Sequence, residues 1–420
     1  MSAWTTSPLA SVCAVFGDGD WIESKDQSPE GVRLIQTGNV GEGEFKDRVE
    51  RARFVSKDTF ARLRCTEIFA GDCLISRLPD PVGRACLIPE TSERMITAVD
   101  CTIVRFDRNR MHPEFFAYYS QANKYLAAVE REATGTTRKR ISRARLGQIP
   151  VPLAPVAEQR HIVALLNEAF EGITTARDNA ARNLQNARDL FEGKLQSVFA
   201  ALDASCPHRT FGSLASETHV GLTRSARQQG DNLRCRYVKM NNISADNRFD
   251  ASRLTSVDAN DAEVLRYRLQ AGDFLFNTRN SHELVGKSCI FEGPDEDEVV
   301  FNNNIMRARF EAAIDAQFVL FAFSYKGTRD QLERMKSGTT NVSALYYRDL
   351  ALLDVPTPDV TTQRRISNVL STLRVECDRL GELQRDKLVL LERLKQSLLE
   401  LAFNGGLKTK AIDSLLGALA

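Results

Sequence analysis

The sequence predicts an α+β fold with an internal two-fold repeat: two globular mixed α/β domains joined by two long helices that form an antiparallel coiled coil. Three observations predict it. With 420 residues, 43% hydrophobic and 26% charged, the chain has an ordinary globular composition and enough length for two or three domains. It repeats itself at an offset of about 201–205 residues. Each copy also changes texture part-way, from short apolar runs cut by Gly, Pro, Asn and Asp to a proline-free helical period.

The repeat appears as islands in constant order. Leu9-Ala10-Ser11 recurs as Leu214-Ala215-Ser216, and Arg33-Leu34-Ile35-Gln36-Thr37-Gly38-Asn39-Val40 as Arg236-Tyr237-Val238-Lys239-Met240-Asn241-Asn242-Ile243. Ala70-Gly71-Asp72 is answered by Ala271-Gly272-Asp273, and Thr134-Gly135-Thr136-Thr137 by Ser337-Gly338-Thr339-Thr340. Val151-Pro152 followed by Gln159-Arg160 is answered by Val355-Pro356 followed by Gln363-Arg364. The chain is one module written twice.

Within the first part of each module, 1–155 and 204–358, runs such as Cys73-Leu74-Ile75, Cys101-Thr102-Ile103-Val104 and Phe274-Leu275-Phe276 read as strands, with a short helix around Pro113–Tyr119. The second parts, 156–203 and 359–405, read as the long helices, leaving 406–420 as a tail. Ile366, Leu370, Leu373, Cys377, Leu380, Leu391, Leu394, Leu398 and Leu401 follow a 4-3 heptad track. Val163, Leu166, Phe170, Ile173, Ala180, Leu184, Ala187, Phe191, Leu195, Val198 and Leu202 make the matching stripe. A helix of some 45 residues is about 65–70 Å long, too long to bury its stripe on one neighbouring domain. The two stripes bury each other, or each pairs with another chain.

Several function classes are excluded or disfavoured. Nine scattered cysteines without a C-x-x-C pair leave no disulfide framework or zinc ribbon. The start of the chain lacks a signal peptide and no stretch approaches a membrane span, which together predict a cytoplasmic protein without membrane contact. Gly17-Asp18-Gly19 and Gly41-Glu42-Gly43 lack the third glycine of a dinucleotide turn, no Walker lysine follows a glycine loop, and no Pro-Pro provides a methyltransferase base-holding loop. The five histidines are dispersed, and Asp295-Glu296-Asp297-Glu298 after Gly293-Pro294 reads as a solvated turn. No catalytic residue and no metal site is predicted, which points to a binding protein.

The net charge of +1 disfavours a freestanding nucleic-acid binder only if charge is evenly spread. It is not. Between 131 and 145 stand Arg131, Arg138, Lys139, Arg140, Arg143 and Arg145 against Glu132 alone, enough to neutralise several phosphates. Thr136 and Thr137 at the Gly-Thr-Thr turn, echoed by Thr339 and Thr340, offer hydroxyls and backbone N–H groups to a DNA backbone. For base edges the candidates are Gln36, Thr37, Asn39 and Arg77 in the first module, and Lys239, Asn241, Asn242, Arg279, Asn302, Asn303, Asn304 and Asn341 in the second, because guanidinium and amide groups read guanine and adenine. Asparagine also gathers in turns for local reasons.

Val151-Pro152-Leu153-Ala154-Pro155-Val156-Ala157-Glu158-Gln159-Arg160-His161-Ile162-Val163 resembles the start of the first conserved region of type I restriction–modification specificity subunits. Leu394-Lys395-Gln396-Ser397-Leu398-Leu399-Glu400-Leu401-Ala402-Phe403-Asn404-Gly405-Gly406-Leu407 is similar to the end of the second. The resemblance implies a non-catalytic subunit whose two target-recognition domains each read half of a bipartite, asymmetric site in double-stranded DNA, while the coiled coil sets the spacer. It implies two adenine methyltransferase subunits using S-adenosylmethionine and restriction subunits using ATP and Mg, with no cofactor bound by this chain. A specificity subunit of a fused methyltransferase/endonuclease system has the same sequence features, and a non-DNA coiled-coil scaffold accounts for the repeat but not for the basic run. The sequence departs from the pattern where Asn341-Val342-Ser343 stands for Arg138-Lys139-Arg140, and where Thr361-Thr362 stands for Ala157-Glu158.

Overall fold

The computed structural model describes residues 4–293, 298–338 and 342–404. The expected tail at 406–420, the site candidates Thr339, Thr340 and Asn341, and Asp295, Glu296 and Asp297 of the acidic run lie outside the described residues. The chain forms two compact units, Met1–Arg182 with Gln384–Ala420, and Asn183–Leu383. Each holds one sheet-rich part and a portion of both long helices, which run Val156–Ser205 and Val360–Phe403.

In the first unit a four-stranded antiparallel sheet runs in the order Cys13–Asp18, Cys101–Phe106, Cys73–Ser76, Ala85–Leu87. Its second sheet contains a parallel pair, Val32–Ile35 with Met95–Thr97. Thr5–Pro8 pairs with Pro150–Leu153, so the strand that leads into the first long helix is stitched to the start of the chain. The apolar runs are buried on both faces: Cys73, Leu74, Ile75 and Ser76 are all inaccessible. The short helix at Pro113–Tyr119 starts on a proline at its first position, where the missing N–H costs nothing.

The second unit repeats this plan. Ala215–Val220, Ile305–Phe310, Phe274–Asn277 and Ser288–Ile290 form the antiparallel sheet, Cys235–Val238 lies parallel to Val299–Phe301, and His208–Thr210 pairs with Asp354–Pro356. Even the register irregularity recurs, between Cys13 and Val15 in one edge strand and between Ala215 and Glu217 in the other. What differs is a fourth sheet in the second unit, made of Arg279–Asn280, Ser343–Ala344 and Ser337–Gly338.

The matched Gln-Arg pairs of the sequence have a structural reason. Gln159, fully buried at the head of the first long helix, accepts from the His112 amide at 2.7 Å and donates to the carbonyls of Arg110 at 2.9 Å and Ala154 at 2.8 Å. Gln363 does the same at the second helix, accepting from the Asp315 amide at 2.9 Å and donating to Ala313 at 3.3 Å and Pro358 at 2.8 Å. Each glutamine satisfies three backbone groups that burial would otherwise leave unpaired, and so fixes how a helix leaves its domain.

Within each unit the helical portions run antiparallel. In the first, Arg177 lies 3.6 Å from Glu392 while Lys395 covers the ring of Phe170, so one helix descends as the other climbs. Ile173, Ala176, Leu391, Leu398 and Phe403 join the same core as Phe115 and Phe116. In the second, Leu195, Phe199 and Leu370 share a core with Phe211, Phe274 and Phe318. Burying each such side chain contributes roughly 1.5–3 kcal/mol. The heptad track needs one correction: Leu380 and Leu401 are 46% and 43% exposed. Gly381 and Ala402, four positions after the buried Cys377 and Leu398 and so on the same helix face, take the buried places.

Candidate nucleic-acid interface

The first Gly-Thr-Thr segment is a hairpin tip, and the glycine of the second lies in a paired strand. Thr134 and Arg140 exchange backbone hydrogen bonds at 2.9 and 2.8 Å, and Gly338 pairs with Ser343. Gly135 and Gly338 adopt φ of +109° and +122°, and a Cβ on either would stand 2.5 or 2.3 Å from a carbonyl across the hairpin. Only glycine closes this turn without strain. Thr136, Thr137, Arg138, Lys139, Arg140 and Arg143 are all exposed around the first tip.

The hairpin base is sewn to the main sheet in the same way twice. The Ile141 amide donates to the Arg77 carbonyl at 3.2 Å, and the Leu345 amide to the Thr278 carbonyl at 2.9 Å. Arg77 in turn donates its amide to Asp100, and Thr278 to Asn304, both at 2.9 Å. The ends of the edge strands complete the arrangement, since Asp18 pairs with Thr102 and Val220 with Met306. Edge-strand end, mid-sheet strand end, β-turn and hairpin base thus frame one slot in each unit, built by main-chain bonds.

Its side chains differ. In the first unit Arg140 lies 2.9 Å from Asp100, Arg143 lies 3.8 Å from Asp18, and Arg77 lies 3.3 Å from the other oxygen of Asp18 as an ion pair without a hydrogen bond. Arg77 is only 5% exposed, donates to the Val99 carbonyl, and leaves its Nε without a partner among the described residues. Burial pushes its guanidinium pKa down. In the second unit the corresponding places hold Val220, Thr278, Asn304, Ala344 and Tyr347, the hairpin register putting Ala344 rather than Ser343 where Arg140 stands. There a cavity of about 410 Å³ is lined by Gly221, Thr223, Arg279, Asn303, Tyr346 and Tyr347 among others.

The remaining candidates divide into outward and inward groups. Arg279 and Asn241 are exposed, and Asn241 lines a groove with Lys239, Arg253, Asn280 and Lys287. Asn39 and Asn242, expected at base edges, are buried instead. Their amides close the short turns Thr37–Asn39 and Met240–Asn242, taking the Gln36 and Lys239 N–H groups at 3.0 and 2.7 Å and donating to Lys46 and Asp250 at 2.9 and 2.8 Å. Asn302 likewise donates to Tyr237 and accepts from the Asn304 amide. Arg77, also expected at a base edge, is buried under Asp18. Gln36 and Thr37 are half-buried beside their turn.

Sequence reasoning missed two cations that brace those turns. Arg84 donates to the carbonyls of Thr37, Val40, Leu78 and Pro81, and Lys287 to those of Met240 and Ile243. Burial lowers the pKa of both. It also missed Asp18, Asp100, Tyr346 and Tyr347. The doublet Tyr346-Tyr347 just beyond the glycine hairpin was the available signal. Among the described residues no group of three His, Cys, Asp or Glu side chains is placed to hold a metal, and no helix is long and apolar enough to cross a membrane.

Residues 1–182 match the family model described as a type I restriction modification DNA specificity domain. The first 182 residues carry that family's domain. It is 23% identical over 315 residues to the EcoKI specificity subunit of Escherichia coli K12, an alignment covering 70% of this chain and 65% of that relative. It is 26% identical over 187 residues to the putative MjaX specificity subunit of Methanocaldococcus jannaschii, covering 44% of this chain and 42% of the relative. The matched region thus spans less than two thirds of either relative. In fold it is similar to the HsdS subunit from Thermoanaerobacter tengcongensis, with a TM-score of 0.62 and 18% identity over 97% of this chain and 98% of that one. It is also similar to a chain from work on complex assembly and conformational transition of the type I R-M system, with a TM-score of 0.77 and 19% identity over 97% and 99%. These likenesses show a shared fold that runs across both units.

Proposed function

We propose that this chain is the non-catalytic DNA-recognition subunit of a type I restriction–modification complex, each unit reading one half of a bipartite, asymmetric duplex site. The observation that carries this is the duplicated slot: one main-chain frame, built twice, holding two different sets of base- and phosphate-competent side chains. A reader of two unlike half-sites requires that combination. The long helices supply the rest, since a strut of fixed rise of about 1.5 Å per residue converts chain length into base-pair spacing. Two adenine methyltransferase subunits carrying S-adenosylmethionine, and restriction subunits using ATP and Mg, are the partners this reading requires.

Long-read methylation mapping in cells expressing the full system is the test. Replacing 1–150 with another recognition domain changes one half-site only, and inserting or deleting four residues within 175–190 changes the spacer while both half-sites persist. A folded, assembled chimera that loses both half-sites, or an unchanged spacer in the length variants, overturns the reading.

A further inference from the structure

We propose that Asp18 and Asp100 are specificity-determining residues of the first unit: each holds a slot arginine in an internal ion pair, so the arginine neutralises a DNA phosphate only by vacating a carboxylate that a hydrogen-bond-donating base edge must then fill. The inference rests on the DNA-recognition reading and deepens it.

The geometry supports a latch. Arg140 and Arg143 are each 48% exposed and Asp100 and Asp18 each 32%, so both pairs sit at the surface yet face each other inside the slot. Ion pairs this exposed are weak, and a phosphate can displace either carboxylate. On random DNA the displaced carboxylate is left beside the anionic backbone with no donor, which penalises the contact. On a site presenting the exocyclic amino group of cytosine or adenine in the major groove, the carboxylate accepts a hydrogen bond and the penalty disappears. The same two residues therefore weaken indiscriminate binding and favour one class of base.

The second unit provides an independent observation. At the positions of both carboxylates it carries Val220 and Asn304, and at the positions of both arginines Ala344 and Tyr347. Acid and base are lost together, as expected if they work as pairs. The two latches are also unequal. Arg77 lies fixed beneath Asp18 and stays with it when Arg143 swings out, whereas Asp100 offers Arg77 only a backbone carbonyl. Asp100 is the stronger latch.

The experiment uses the full chain assembled with its methyltransferase subunits, a labelled duplex containing the mapped site and one lacking it, titrated with salt. D100N tightens binding to the site-free duplex about three- to tenfold, steepens the log K against log salt slope by about one, and lowers discrimination at the first half-site. D18N acts in the same direction by less, D100S reproduces the D100N gain, and R140Q abolishes it in the double variant. Unchanged site-free affinity and slope in both Asp100 variants overturns the latch while the recognition reading stands. If the unaltered complex binds neither duplex in a salt-dependent way, the recognition reading falls and this inference with it.

Discussion

The first unit fills its slot with arginines and aspartates, while the second fills the equivalent frame with tyrosines, asparagines and one exposed arginine, Arg279. The frame itself is held by backbone bonds, Ile141 to Arg77 and Leu345 to Thr278, which are indifferent to side-chain identity. The frame is thereby separated from the side chains it presents, so under the proposed function a half-site would change by substituting side chains without rebuilding the turn.

The largest effect should be the one both units share. Gln159→Leu and Gln363→Leu each leave buried backbone groups unpaired and should cost about 3 kcal/mol apiece, measured as a shift in urea unfolding of the assembled protein. A loss in one unit alone would break the symmetry. Gly135→Ala and Gly338→Ala force a strained φ and a carbonyl clash, costing roughly 1–3 kcal/mol. Each should impair methylation at its own half-site only, as read by site-resolved sequencing of partially modified DNA.

Smaller effects sharpen the contrast. Alanine at Arg138, Lys139 and Arg140 should flatten the salt dependence of binding by about one log unit per lost phosphate contact, whereas Tyr346→Ala and Tyr347→Ala should weaken binding at unchanged slope. A salt titration of both sets decides whether the two slots differ in kind.

The smallest concerns a charge present on one side only. His208 and Thr6 hold the same position opposite Pro356 and Pro152. Burial opposes the His208 charge, but the Asp354 carboxylate at 2.7 Å and the Asp203 carbonyl at 3.1 Å outweigh it and raise its pKa. Because the folded value lies above the ordinary value of about 6.5, the stabilisation is complete below that pH and fades as pH rises through the folded value. His208→Asn should therefore lower Tm by a few degrees at about pH 5.5 and by less at about pH 8.5. Equal losses would show that His208 only packs.

Much of the fold was legible. The repeat, the strands at Cys73–Ser76, Cys101–Phe106 and Phe274–Asn277, and both long helices follow from periodicity and from where prolines stop. The candidate interface was legible in part. The basic hairpin was visible as a local run of charge. Asn39, Asn242 and Asn302 looked like base readers because composition reports an amide but not its partners, and each partner is set by a turn that closes only in three dimensions.

By itself the sequence determined two modules, their strands and helices, and the charge near 131–145, because hydrophobic periodicity and local charge are properties of neighbouring residues. Tertiary structure alone decided that Asp18, Arg77, Asp100, Arg140 and Arg143 share one slot, that Val220, Asn303 and Tyr347 share its counterpart, and that Arg84 and Lys287 are braces. Asp18 and Asp100 stand tens of positions from the arginines they meet, and only the antiparallel register of the sheet and the hydrogen bonds at the hairpin base bring them within ion-pair distance.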